Sequence, residues 1–251
     1  WGQTTASIFN AKNDRKNAAD LSQVFVQMKI SVIHSADDMN EIVPRISTFA
    51  NTQNKIQVAD FSANDPFHRR IEELSRTIWA PAQGGMKPRN WFYERARGQY
   101  ADMLTRESTT KRKKEYKETH PLFTKTDLAK YENTWDQLPW QVSEGAQKNF
   151  HKFMLRLKER KGFAPDEIYY QNLIAKAILF RQTEKLVQKQ QYGGYRANIV
   201  TYTLAFLSFK TAQRIDLERI WKEQALTPDL EREIIEVSKF VQSLIVNPPG
   251  G

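Results

Sequence analysis

From about residue 65 onward, apolar side chains recur every three or four positions, the period of a helix that turns one face inward. Asp65-Pro66 makes a helix start, because proline is tolerated in the first turn, and Phe67, Ile71, Leu74 and Ile78 follow as one stripe. The same spacing predicts helices over 91–107, 126–136, 142–161, 166–190, 195–210, 215–225 and 228–246. Gln83 to Arg89 reads as a loop from its glycines and proline, and Gly193-Gly194 as the stop of a long helix.

Before residue 62 the pattern changes. Val26, Met28, Ile30 and Val32 alternate with Gln27, Lys29 and Ser31, which predicts a strand over Val24 to Val32. Gly2 to Asn10 suits a turn entering a helix, with Thr4 or Thr5 as N-cap. A second helix is expected from Asp37 through Ala50. The expected fold is α+β and predominantly helical: a small mixed α/β part over 1–62, then a larger helical part over 63–251. A lone strand needs partners, and these are expected upstream of Trp1. There is no internal repeat and no sustained heptad.

Composition narrows the chemistry. The chain has no cysteine, which removes disulfides, thiolate metal ligands and cysteine nucleophiles. No apolar run approaches the roughly 18–20 residues that span a bilayer; Ile199 to Phe209 is too short and carries Thr, Tyr and Ser. No membrane partner and a cytoplasmic location are therefore expected. The formal charge is +9, and residues 84–118 alone hold ten Lys/Arg against five Asp/Glu. That excess fits a polyanionic partner, most simply nucleic acid, or else a solvated helix face.

Two amide-rich clusters form a candidate polar pocket: Gln3, Thr4 and Thr5, and Asn51, Gln53 and Asn54. Asn and Gln side chains each carry an acceptor and a donor, so the clusters either grip a ligand or tie two loops together. Because buried amides need partners, the two clusters are expected to lie close in space. Asp60, Ser62, Asn64 and Asp65 offer oxygens, but capping by Asn64 or Asp65 accounts for them and no metal is assigned. His34, His68, His120 and His151 occur singly, and there is neither HExxH nor a Walker A loop.

The segment Trp91-Phe92-Tyr93-Glu94-Arg95-Ala96-Arg97-Gly98-Gln99-Tyr100 interleaves rings with arginines upstream of Lys111-Arg112-Lys113-Lys114. Rings stack on bases and cations neutralise phosphates, so Arg95, Arg97, Lys111, Arg112, Lys113 and Lys114 are the candidate nucleic-acid contacts. Some of the rings are instead expected in the core.

Several strings taken together resemble the AIPR (abortive-infection phage-resistance) family. They are Gly-Gln-Thr-Thr-Ala-Ser at 2–7, Asn-Thr-Gln-Asn-Lys at 51–55, Trp-Phe-Tyr-Glu-Arg-Ala-Arg-Gly-Gln-Tyr at 91–100, Phe123 to Tyr131, Gly145 to Phe150 and Gly193 to Tyr202. The resemblance covers nearly the whole chain and implies the C-terminal part of a bacterial phage-defence protein, whose members usually carry a further N-terminal region. Trp1 stands where the family pattern has a glycine. The implied role is abortive infection, in which an infected cell stops growing before phage matures.

The leading functional expectation is a phage-defence module that engages nucleic acid or senses a phage component. The alternative is a nuclease or nucleotide-acting enzyme whose pocket is built by the 2–5 and 51–54 segments. The sequence assigns no cofactor and no oligomeric state.

Overall fold

The computed structural model describes residues 2–13, 20–26, 62–82, 87–160 and 162–248. The chain divides into two compact units, Trp1–Ile46 and Ser47–Gly251.

In the first unit, helix α1 runs over Gly2–Asn13 and closes with the Asn13 amide donating to the Phe9 carbonyl at 2.8 Å. The helix already begins at Gly2, so Thr4 and Thr5 lie inside its first turns rather than at an N-cap. A turn at Leu21–Val24 follows, and residues 24–26 are irregular. The rest of the expected strand, and all of the expected helix over 37–50, lie outside the described residues.

In the second unit, Asp65 accepts from the Phe67 N–H at 2.9 Å and Pro66 fills the first turn, which starts α2 (Pro66–Thr77) as the sequence predicts. Phe67, Ile71 and Leu74 of its stripe are buried. Two short strands, β1 (Phe92–Glu94) and β2 (Leu122–Thr124), pair in parallel with Tyr93 opposite Phe123. Parallel strands require a long crossover. Here it carries α3 (Gln99–Thr105) and α4 (Thr110–Thr119). At the end of β2, Thr124 and Asp127 cap each other's backbone and turn the chain directly into α5 (Lys125–Trp135).

The remaining helices are α6 (Pro139–Ser143), α7 (Ala146–Glu159), α8 (Glu167–Lys189), α9 (Arg196–Lys210), α10 (Leu217–Glu223) and α11 (Pro228–Val246). The 23-residue α8 is the spine. It packs against α2, α5, α9, α10 and α11, and buries Leu173, Ile174, Ala177, Ile178 and Phe180. Each fully buried Leu, Ile or Phe contributes about 1.5–3 kcal/mol of transfer free energy. Among the described residues 68% are helical, against about a third in an ordinary globular protein, so the fold is predominantly helical.

Two local expectations are corrected, and one helix is added. The helix expected over 91–107 is instead strand, turn and helix. Trp91, Phe92 and Tyr93 are buried aromatics that suit a pleated strand, and helix begins only after Gly98, whose φ of 95° breaks the chain's course. The helix expected over 142–161 is two helices, α6 and α7, separated at Gly145 with φ 100°. Helix α4 has no expected counterpart, because it has no fully buried residue and so lacks an apolar period.

Candidate nucleic-acid interface

Glu72 and Arg76 stand one turn apart on α2 and meet β1. The Arg76 guanidinium lies 3.7 Å over the Phe92 ring, donates to the Tyr93 carbonyl at 3.1 Å and to Ser75 Oγ at 3.0 Å, and pairs with Glu72 at 3.6 Å. Glu72 also accepts from Arg95 Nε at 2.6 Å and from Gln99 Nε2 at 2.8 Å. Burial opposes its ionisation, but hydrogen bonds from Arg95 and Gln99 outweigh that and hold the carboxyl below its usual range. Arg95 further donates to the Ala63 carbonyl at 2.7 Å. Its guanidinium therefore ties the chain before α2 to the turn after β1.

Beyond this network, β1, α3, α4 and the end of α2 enclose a cleft of about 430 Å³. One side is aromatic. Tyr116, in the last turn of α4, and His120, at its C-cap, stack with ring centroids 4.1 Å apart. Trp79, 52% exposed, sets its ring edge-on against His120 at 5.7 Å. His120 Nδ1 lies 3.3 Å from the Tyr116 carbonyl, which can only accept, so Nδ1 carries the proton and Nε2 keeps its lone pair. Thr119 Oγ1, 2.9 Å from the same Nδ1, is free to accept as well, since its own proton goes to the Glu115 carbonyl at 3.0 Å. Burial, with the Arg76 charge, lowers the His120 pKa against the opposing pull of the Tyr116 carbonyl. Burial raises that of Tyr116. Tyr100 supports this side from below, donating its hydroxyl to the His120 carbonyl at 2.7 Å; burial pushes its pKa up to about 12.

The outer surface is cationic. Lys111, Arg112, Lys113 and Lys114 on α4 are all exposed, and none forms an ion pair among the described residues. Glu115 of the same helix is taken by Lys87. Arg97 is exposed, and Arg106, also exposed, lines the cleft without a side-chain hydrogen bond or ion pair among the described residues.

The six expected nucleic-acid contacts thus separate by environment. Arg95 is engaged internally, whereas Arg97 and the four residues of α4 face solvent. Of the rings, Trp91 and Tyr93 are core and Phe92 floors the cleft under Arg76. Sequence reasoning does not single out Arg76, Trp79, Arg106, Tyr116 and His120 as one site. The signal it holds is the four-residue spacing of Tyr116 and His120, which places both on one helical face beside the basic run. Thr5 is exposed on α1. The side chains of Gln3 and Thr4, and all of Asn51, Gln53 and Asn54, lie outside the described residues, as does the expected closeness of those two clusters.

Residues 2–249 match the family model described as AIPR protein. The chain belongs to the AIPR family. Membership supports a role in phage defence by abortive infection. No curated protein and no solved structure shows significant similarity to the chain. Among the described residues of this AIPR family member, no helix is long and apolar enough to cross a membrane, and no three His, Cys, Asp or Glu residues are grouped to hold a metal ion.

Proposed function

We propose that this AIPR family member serves phage defence by engaging nucleic acid through the cationic face of α4 and the cleft beside it. The observation that carries the reading is the set of four exposed cations, Lys111 to Lys114, with no ion-pair partner among the described residues. Their position adds to it. They fill the first half of α4, whose first turn holds no acidic residue, so they oppose the positive end of the helix dipole. An arrangement that costs helix stability in isolation becomes favourable once phosphates lie across it.

The test is fluorescence anisotropy with labelled single- and double-stranded DNA and RNA at two salt concentrations. Affinity is expected to fall steeply with salt. Replacing Lys111, Arg112, Lys113 and Lys114 together by Ala is expected to weaken all sequences alike, since phosphate contacts carry no sequence information. It should also flatten the log–log salt slope by about three, at about 0.7–0.9 for each phosphate no longer neutralised. No binding at low salt, or an unchanged quadruple variant, would overturn the reading and favour sensing of a phage component through protein contact.

A further inference from the structure

The proposed interface has two unlike parts, an outer cationic helix and an inner cleft, and a nucleotide has two unlike ends. The lining of the cleft decides which end enters. Two carboxylates, Glu72 and Asp102, contribute to it. Its deepest cation, Arg76, is already committed to Glu72, the Tyr93 carbonyl, Ser75 and the Phe92 ring. A phosphate placed deep inside would meet like charge and a guanidinium with little left to give, whereas Arg106, the lining's cation unpaired among the described residues, is exposed to solvent. A base meets something different. Tyr116 and His120 form a ledge of stacked rings, with Trp79 set edge-on against His120. The Asn90 amide nitrogen donates to the Ile78 carbonyl at 2.9 Å, leaving its Oδ1 without a partner among the described residues as an acceptor on the cleft. The Tyr116 hydroxyl and His120 Nε2 likewise have no hydrogen-bond partner among the described residues, so donors and acceptors are both on offer for a base edge.

We infer that the cleft takes one unpaired base of a single-stranded nucleic acid, with the flanking phosphates outside on Arg106 and the cations of α4. The inference rests on the nucleic-acid reading above and gives it a substrate class. A volume of about 430 Å³ lies in the range of small-ligand pockets, about 300–1,000 Å³, and suits one base with its sugar. A base held in a duplex is stacked on both faces and cannot present a ring face to the ledge without being flipped out, which costs a few kcal/mol. Selectivity for single strands therefore follows from the ledge, while general affinity follows from α4.

The experiment measures anisotropy on the full chain at low salt, with a labelled single strand and a hairpin duplex of equal length, for the native protein and three variants. The native protein binds the single strand more tightly. His120→Leu and Tyr116→Leu, which keep apolar packing, each weaken the single strand by about 5- to 100-fold, the usual worth of one base–aromatic stack. Both leave duplex affinity unchanged. The Lys111/Arg112/Lys113/Lys114→Ala variant weakens both ligands together. If that variant behaves as stated but His120→Leu and Tyr116→Leu, folded by circular dichroism, bind the single strand like the native protein, the α4 interface stands and the base-binding cleft is wrong. Equal native affinity for both ligands, or no binding of the single strand at all, also overturns it.

Discussion

Tyr116 and His120 lie one helical turn apart at the end of α4, their rings parallel to within 9° and their centroids 4.1 Å apart. The stack half-buries both rings. Burial, aided by the Arg76 charge, lowers the His120 pKa from its ordinary 6.5, so the imidazole is neutral at pH 7 and presents its Nε2 lone pair. A pH titration followed by NMR of the His120 ring should therefore give a midpoint below 6.5. A midpoint at or above that value would mean the ring is not packed as described.

His68 is the second histidine with a direct readout. Its Nε2 lies 3.2 Å from Met154 Sδ and its Nδ1 2.7 Å from the Tyr93 hydroxyl. A thioether cannot donate, so Nε2 carries the proton and Nδ1 accepts from Tyr93. Burial, with the charges of Lys125 and Arg95, brings the pKa from 6.5 to about 3. In the folded chain His68 stays neutral between those values, while in the unfolded chain it takes up a proton. Stability is thus fully present above pH 6.5 and is lost as pH falls toward 3, by about 1.4 kcal/mol per pH unit from this group. Urea unfolding at pH 7, 5.5 and 4.5 checks the slope. His68→Phe should flatten it, at the cost of leaving the Tyr93 hydroxyl without its acceptor.

Glu132 and Lys176 form an ion pair at 2.9 Å with side chains only 6% and 11% exposed, and the ammonium lies 5.6 Å over the Trp135 ring. Removing one partner strands the other charge in the core. Glu132→Ala should destabilise by about 3–5 kcal/mol, and adding Lys176→Met should restore much of that loss. Chemical denaturation of the single and double variants decides it; equal stability of the two would show that no stranded charge was created.

Gly145 separates α6 from α7 at φ 100° and ψ 157°, a region open essentially to glycine alone. A Cβ there would meet nothing within 4 Å, so the cost of Gly145→Ala is backbone strain without a clash. A loss of about 1–3 kcal/mol is expected in thermal unfolding. A neutral substitution would place the junction elsewhere.

The quadruple replacement on α4 should behave unusually in stability measurements. Lys111, Arg112 and Lys113 lie in the first turn, at the positive end of the helix, where a cation is mildly unfavourable, by about 0.3–1 kcal/mol at low ionic strength, and alanine has the higher helix propensity. In the absence of nucleic acid the variant should melt at the same temperature as the native chain or above it. A clear fall would assign those side chains a structural role.

The helical unit was legible where one apolar face repeats over several turns. The spacing of Phe67, Ile71 and Leu74, the capping of Asp65-Pro66 and the long apolar run of α8 are local signals, and local backbone preference agrees with burial there. The charge of Lys111 to Lys114 was equally plain in the sequence, though their helix was not, since a helix with no fully buried residue has no apolar period to read. What the tertiary structure alone decided was the role of each ring and each arginine. Trp91 and Tyr93 are core while Trp79 is exposed, and Arg95 is consumed by Glu72 while Arg106 faces the cleft. Those differences depend on partners brought from α2, β1 and α4, tens of residues apart. No periodicity within one segment encodes such distances, because they are set by how the strands and helices pack.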